Sequence, residues 1–212
     1  FTDNGVARVV VDGKYGYIDK LGNYIVEPQF EEAYPFENGY AVVKKFGSYG
    51  LINTEGNLVI KPQFDARFRF CGEYATVKVG SKYGVIKKDG TYAINPSYIA
   101  LGSLGEEGLA YAKRGDGKTG FVNANDEFVI EPKFEDAKSF CMGLAPVKES
   151  GLWGYADTDG NIVIDAKYLY ASEFYTDGFA YVKNVDNSIS VIDTSGNVAM
   201  LESVTTIGDI LA

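Results

Sequence analysis

The stretch most suggestive of chemistry is Ala112-Lys113-Arg114-Gly115-Asp116-Gly117-Lys118-Thr119, which has the outline of a phosphate-binding loop. Such a loop needs glycines that let backbone N–H groups close on a phosphate, a Lys reaching the same charge, and a helix starting directly behind it. Ala112 stands where the first Gly belongs, and the following Gly120-Phe121-Val122-Asn123 reads as a strand. A loop between two strands is therefore expected. Asp157-Thr158-Asp159-Gly160-Asn161 spaces its oxygens like the start of a calcium loop, but Tyr168 occupies the position that needs a bidentate Glu. Asp193-Thr194-Ser195-Gly196 has the outline of an aspartic-protease loop, and those loops act only in facing pairs that share a proton. No catalytic, cofactor-binding or metal-ligating residue is assigned, and no ligand-binding residue is singled out.

Composition narrows the chemistry further. Histidine is absent, which removes Ser-His-Asp hydrolysis and zinc sites built on imidazole. Twenty-nine acidic against twenty basic residues leave a formal net charge of −9, a surface that repels phosphate backbones and anionic headgroups. Nucleic acid is excluded as a partner, and no apolar run is long enough for membrane insertion as a helix. Glycoside cleavage needs only two carboxylates, but no pair stands out. The expectation is a protein that is not an enzyme and carries no cofactor. The chain starts at Phe1 and not at Met, so a processed product or an excised segment is expected, and the compartment stays open.

The elements that would position any site are repeats. Aromatic-Gly pairs stand at Tyr15-Gly16, Tyr49-Gly50, Tyr83-Gly84 and Trp153-Gly154, with Thr119-Gly120 and Ile189-Ser190 in the same phase. Three further markers keep that phase. They are Ala7, Ala41, Ala75, Ala110, Ala145 and Ala180; the turn residues Gly22, Gly56, Gly90, Asp126, Gly160 and Gly196; and Pro28, Pro62, Pro96 and Pro132. Tyr40–Lys45 alternates as a half-buried strand should, and Tyr49–Asn53 follows it. Asn53-Thr54-Glu55-Gly56 closes a hairpin, with an Asx side chain available to accept local N–H groups and Gly supplying positive φ. A third strand, Leu58–Lys61, is expected to stop at Pro62, which has no N–H for a ladder. Phe64 and Phe70 are expected to seal the junction with the next unit.

The fold expected is all-β: six tandem antiparallel β-hairpin repeats of about 35 residues in an open, solenoid-like array, with a closed six-bladed β-propeller as the alternative. One repeat domain, 1–212, divides into units of about 5–38, 39–72, 73–107, 108–142, 143–177 and 178–212. Three side-chain families carry expectations. Lys44, Lys78, Lys113, Lys148 and Lys183 share one repeat position and read as edge lysines that block strand aggregation. Cys71 and Cys141 read as buried free thiols. Tyr15, Tyr49, Tyr83 and Trp153 read as inter-repeat core.

The segments Gly151-Leu152-Trp153-Gly154-Tyr155-Ala156-Asp157-Thr158-Asp159-Gly160 and Tyr49-Gly50-Leu51-Ile52-Asn53-Thr54-Glu55-Gly56 resemble the WG (or KWG) β-repeat of bacterial proteins. Tyr replaces Trp in three units, and the fourth and sixth units lack the aromatic. The resemblance implies a bacterial repeat protein, often secreted or at the cell surface, with no assigned activity. Together with the repeat architecture it points to a non-catalytic module for protein or peptide interaction, the alternative being a cell-envelope or carbohydrate-binding module.

Overall fold

The computed structural model describes residues 5–115 and 117–199. Among these residues there is no helix, and the strands, numbered β1 to β22 in chain order, repeat one plan. The first strand of each unit is β1 (Ala7–Val11), β5 (Tyr40–Lys45), β9 (Tyr74–Val79), β13 (Ala110–Lys113), β17 (Ala145–Glu149) or β21 (Phe179–Lys183). The second is β2 (Lys14–Ile18), β6 (Ser48–Asn53), β10 (Lys82–Lys87), β14 (Thr119–Val122), β18 (Leu152–Ala156) or β22 (Ile189–Asp193). The third is β3 (Tyr24–Phe30), β7 (Leu58–Phe64), β11 (Tyr92–Tyr98), β15 (Phe128–Phe134) or β19 (Ile162–Tyr168). A two-residue strand ends each of these units: β4 (Glu32–Ala33), β8 (Phe70–Cys71), β12 (Ala100–Leu101), β16 (Asp136–Ala137) and β20 (Tyr170–Ala171). The protein is thus an all-β tandem array of antiparallel repeats, and none of its six sheets closes into a barrel.

The chain forms two compact units, Phe1–Ser103 with Ala124–Asp126, and Leu104–Asn123 with the segment from Glu127 onward. The first holds the sheets β1-β2-β3, β4-β5-β6-β7 and β8-β9-β10-β11. The second holds β13-β14-β15, β16-β17-β18-β19 and β20-β21-β22. Sheets and sequence repeats are out of phase. The short strand β4 ends one repeat yet pairs with the first strand of the next, Glu32 opposite Lys44 and Ala33 opposite Val43. The same holds for Asp136 opposite Lys148 and Tyr170 opposite Lys183.

Hairpins form where the sequence demands them. Phe46-Gly47 and Ser150-Gly151 join first and second strands with positive φ at both residues, the two-residue turn that matches strand twist. At the second turn, Asn53 Oδ1 accepts the N–H groups of Glu55 and Asn57, and Gly56 N–H donates to the Asn53 carbonyl. Gly56 has φ +82. The turn glycines are not equivalent, however. A Cβ on Gly56 would lie 2.5 Å from Val26 Cγ2, and one on Gly90 3.1 Å from Ile60 Cγ1, so these turns pack on the preceding repeat, whereas Gly22 faces open space.

The third strand does not stop at Pro62. It runs to Phe64 through a bulge, because β6 advances from Tyr49 to Leu51 while β7 advances from Phe64 back to Ile60. Pro62 lies in the extra residues, where a missing N–H loses no ladder bond. The bulge brings the β7 backbone onto Gly50: a Cβ there would sit 2.5 Å from the Ile60 carbonyl oxygen and 2.8 Å from Pro62 N. Gly16, Gly84, Gly120 and Gly154 meet the same obstruction. The glycine of the aromatic-Gly pair is therefore required by close approach, at ordinary φ.

The cores follow from this register. Tyr17, Leu51 and Val85 in the first unit, and Phe121 and Tyr155 in the second, stand two residues after the first of each pair and are essentially inaccessible. Each fully buried side chain of this size contributes about 1.5–3 kcal/mol. Tyr49 and Trp153 are buried, while Tyr15 and Tyr83 are only half-buried. Phe64 is buried as expected, but its edge-on partner is Phe68 at 5.3 Å, with Phe70 left half-buried outside. The lysine row does not guard an edge, since β5 and β17 have neighbours on both sides. Lys44 and Lys78 lie across the strand pair from Tyr49 and Tyr83 and cover those rings, at 5.1 and 5.7 Å. The thiols are free but not buried: Cys71 is exposed and Cys141 intermediate, because both occupy the tight turn before a first strand.

Candidate binding clefts

Ala110–Lys113 and Thr119–Val122 pair as a hairpin, which makes the phosphate-loop outline a strand connection. Asp116 lies outside the described residues. Asp157 Oδ1 accepts from Asp159 N–H and Asn161 N–H, and Oδ2 from Asn161 Nδ2, so this carboxylate serves its own turn. Those bonds, the Asn161 side chain first, hold its pKa below the ordinary Asp value. Asp193 makes the same set of bonds with Ser195 and Asn197.

What the structure assembles instead are two clefts built from side chains that depart from the repeat. The first lies in the first compact unit. At the slot where Ala33, Leu101, Ala137 and Ala171 are buried, the second repeat has Arg67, which is exposed. The short strand there is displaced to Phe70–Cys71 and pairs with Ala75 and Tyr74 at the start of β9. The loop before it turns Phe68 inward and lays the Arg67 guanidinium over the Tyr34 ring, 3.9 Å from its centroid.

Tyr34 is itself fixed. Its hydroxyl donates to Glu32 Oε2 at 2.8 Å, the Tyr49 hydroxyl donates to the same oxygen at 3.0 Å, and Lys44 Nζ reaches Oε1 at 2.9 Å. These partners, the Lys44 ammonium first and Tyr34 next, bring the Glu32 pKa down to about 2. Burial, and then the bond to Glu32, push the Tyr34 phenol up to about 12. The cleft has a floor of Phe68, Phe70, Val42 and Leu51, and a rim that includes Arg67, Arg69, Lys88 and Glu37. Arg69 pairs with Glu37 at 2.9 Å and Lys88 with Glu73 at 2.7 Å.

The second cleft, about 270 Å³, lies in the second compact unit between Lys138, Tyr170, Glu173, Tyr175 and Tyr181. Tyr170 stands where other repeats have Glu32, Ala66, Ala100 and Asp136. The Lys138 ammonium donates to the Ala171 carbonyl at 2.7 Å and sits 3.8 Å from the centre of the Tyr170 ring. Burial lowers its pKa. Tyr170 and Tyr181 stack with centroids 5.6 Å apart. Ser172 Oγ accepts the Tyr181 backbone N–H, and Glu173 accepts the Ser139 N–H. This cleft offers the rings and phenol hydroxyls of Tyr170, Tyr175 and Tyr181 and one ammonium to a small polar group.

Sequence reading takes Lys44 as an edge lysine, Tyr49 as inter-repeat core and Phe70 as a junction seal, and places none of the cleft residues in a binding site. The signal was available as departures from the repeat, an Arg at an Ala slot and a Tyr at an acidic or Ala slot. Nothing local showed that they converge.

No curated protein matches the chain in sequence. Solved structures do match in shape. A eukaryotic initiation factor aligns with a TM-score of 0.60 at 14% identity over 93% of this chain and 62% of its own. Hsv2p of Kluyveromyces lactis gives a TM-score of 0.53 at 10% identity over 94% and 76%. KlHsv2 with its loop 6CD replaced by a Gly-Ser linker gives 0.55 at 10% over 96% and 80%. At such identities the likeness concerns the fold alone. The WG containing repeat matches residues 15–47, 49–83, 120–153 and 153–187. Those segments cover more than half of the sequence in the same phase as the aromatic-Gly glycines, and the chain belongs to the WG repeat family.

Proposed function

We propose that this WG repeat protein is a non-catalytic module that binds a protein or peptide partner. The observation that supports this is the first cleft, an apolar floor under a rim rich in Arg and Tyr. Tyr and Arg are enriched among the residues that dominate the energetics of protein interfaces, where they combine large contact area with directional donors. The shifted carboxylates also favour binding over catalysis. Glu32 serves Tyr34, Tyr49 and Lys44, while Asp19, Asp157 and Asp193 serve their own turns. A general acid or base would need a pKa drawn toward neutrality, and each of these is drawn away from it. Binding would be spread over several repeats, as in other stacked-repeat proteins.

The test is a peptide-display selection against the intact chain, run beside a glycan array. Peptides that bind in solution, without glycan binding, are the expected outcome. Glycan binding with no peptide enrichment would move the function to the carbohydrate reading. Turnover of a substrate, abolished by a point substitution that leaves the fold intact, would overturn the non-catalytic one.

A further inference from the structure

We infer that the Arg67 cleft takes an acidic segment of a partner protein that carries one bulky apolar side chain. This deepens the binding reading above and rests on it. The charge pattern carries the inference. On a chain of net charge −9, this cleft gathers three cations, Arg67, Arg69 and Lys88, against two carboxylates, Glu37 in its lining and Glu73 paired with Lys88. An acidic partner repelled by the surrounding surface is thereby oriented onto one place.

The geometry says how it would be held. Arg67 makes no ion pair among the described residues, and its contact with Tyr34 uses the guanidinium face. A stacked guanidinium keeps its N–H donors in the plane of the group, free for a bidentate carboxylate. The platform beneath cannot swing away, because Tyr34 is tied to Glu32 and Glu32 to Lys44 and Tyr49. The other two cations are held only by surface pairs, Arg69 with Glu37 and Lys88 with Glu73. Exposed pairs of that kind are weak, so carboxylates of a partner can replace those partners at little loss. Between the cations the half-buried Phe70 and the apolar floor leave a place for an aromatic or aliphatic side chain. Where the short strand of the second repeat is displaced, Phe68 enters the core beside Phe64 and leaves the half-buried Phe70 facing the cleft.

The experiment uses the intact chain and fluorescein-labelled heptapeptides read by anisotropy. The probe is Asp-Glu-Asp-Phe-Glu-Asp-Glu. Its comparators carry Lys at every acidic position, or Ser in place of Phe. The acidic Phe peptide is expected to bind, weakening as salt rises, and both comparators to bind at least about tenfold less. Arg67→Ala is expected to weaken binding about tenfold or more, and Arg67→Lys to restore little of it, since Lys offers neither the fork nor the stack. Lys61→Ala, which removes one exposed cation elsewhere in the same compact unit, controls for net charge. An unchanged melting temperature checks that the variants are folded. Equal binding of the Lys peptide, or an Arg67→Ala protein that binds like wild type or like Lys61→Ala, would overturn the inference. Display-selected peptides that ignore Arg67 would overturn it while sparing the wider binding reading. Absence of any selected peptide would remove both.

Discussion

Replacing Gly50 by Ala isolates the close approach on which every repeat depends. Gly50 has ordinary φ, so an added methyl brings no backbone strain of its own. The obstacle is purely spatial. The new Cβ would lie 2.5 Å from the Ile60 carbonyl oxygen, 2.8 Å from Pro62 N and 3.0 Å from Pro62 Cα, where ordinary contact begins near 3.4 Å. All three atoms are backbone, held by the β6–β7 ladder on either side of the bulge. Small-to-large changes cost about 1–3 kcal/mol where side chains can repack. Here nothing flexible yields, so about 3 kcal/mol or more is expected.

Gly13→Ala is the internal comparison. Gly13 has φ +74 and nothing within 4 Å of an added Cβ, so only the left-handed conformation is penalised. That amounts to about 1 kcal/mol once the lower entropy of the unfolded Ala chain is counted. Urea unfolding followed by far-ultraviolet circular dichroism, which reports the strands of both compact units, measures both. With a denaturant slope of about 2 kcal/mol per molar for a unit of this size, the midpoint should fall by about 1.5 M for Gly50→Ala and about 0.5 M for Gly13→Ala. If Gly50→Ala shifts the midpoint no further than Gly13→Ala, close approach is not why the position is Gly.

Three further outcomes are expected. Tyr98 is fully buried and its hydroxyl donates to Asp126 Oδ1 at 2.6 Å, so Asp126→Gly relieves a φ of +64 but removes that bond. A net loss of about 1 kcal/mol is expected in urea midpoints, with a double cycle against Tyr98→Phe showing strong non-additivity. Glu32 has its folded pKa depressed to about 2 from an ordinary 4.5, so its contribution is present above 4.5 and is lost as pH falls through the folded value. Thermal unfolding of Glu32→Gln should start lower at neutral pH and converge on wild type toward pH 2; a constant gap would refute the linkage. Thr119 Oγ1 is buried without a hydrogen-bond partner among the described residues, so Thr119→Val, of equal shape, should stabilise by about 1 kcal/mol in the same urea assay.

What was legible in the sequence was whatever the chain decides within a few residues. Asn53 and Gly56 announce their turn because an Asx side chain and a left-handed Gly act on their immediate neighbours. The phase of Ala41, Ala75 and Ala110 announced the repeat for the same reason. The fate of Pro62 was not local. Whether a proline ends a strand or enters a bulge depends on the partner strand, and only the register against Gly50 decides it. The lysine row was read as edge protection because sequence does not show that the preceding repeat lends its last strand to the sheet. Cys71 was expected to be buried because it follows Phe70, yet Phe68 is the residue that turns inward. The first cleft was invisible for a related reason. Arg67 meets Tyr34 from the next repeat through a loop whose path no periodicity describes.

The half-step between repeat and sheet bears on how such a chain can lengthen or shorten. Because β4 closes the sheet of its successor, a repeat is not a detachable brick, and its two ends are complementary halves of neighbouring sheets. A duplication or deletion of one whole period therefore rejoins a matching half to a matching half, wherever within the period the break falls. A genetic exchange between misaligned copies keeps every seam intact without having to find a boundary. A shift of a few residues, by contrast, would set Glu32 and Ala33 against the wrong partners on β5 and expose the core of both sheets. Architecture of this kind tolerates changes in copy number and resists changes in period, which leaves the loops free to acquire residues such as Arg67 one repeat at a time.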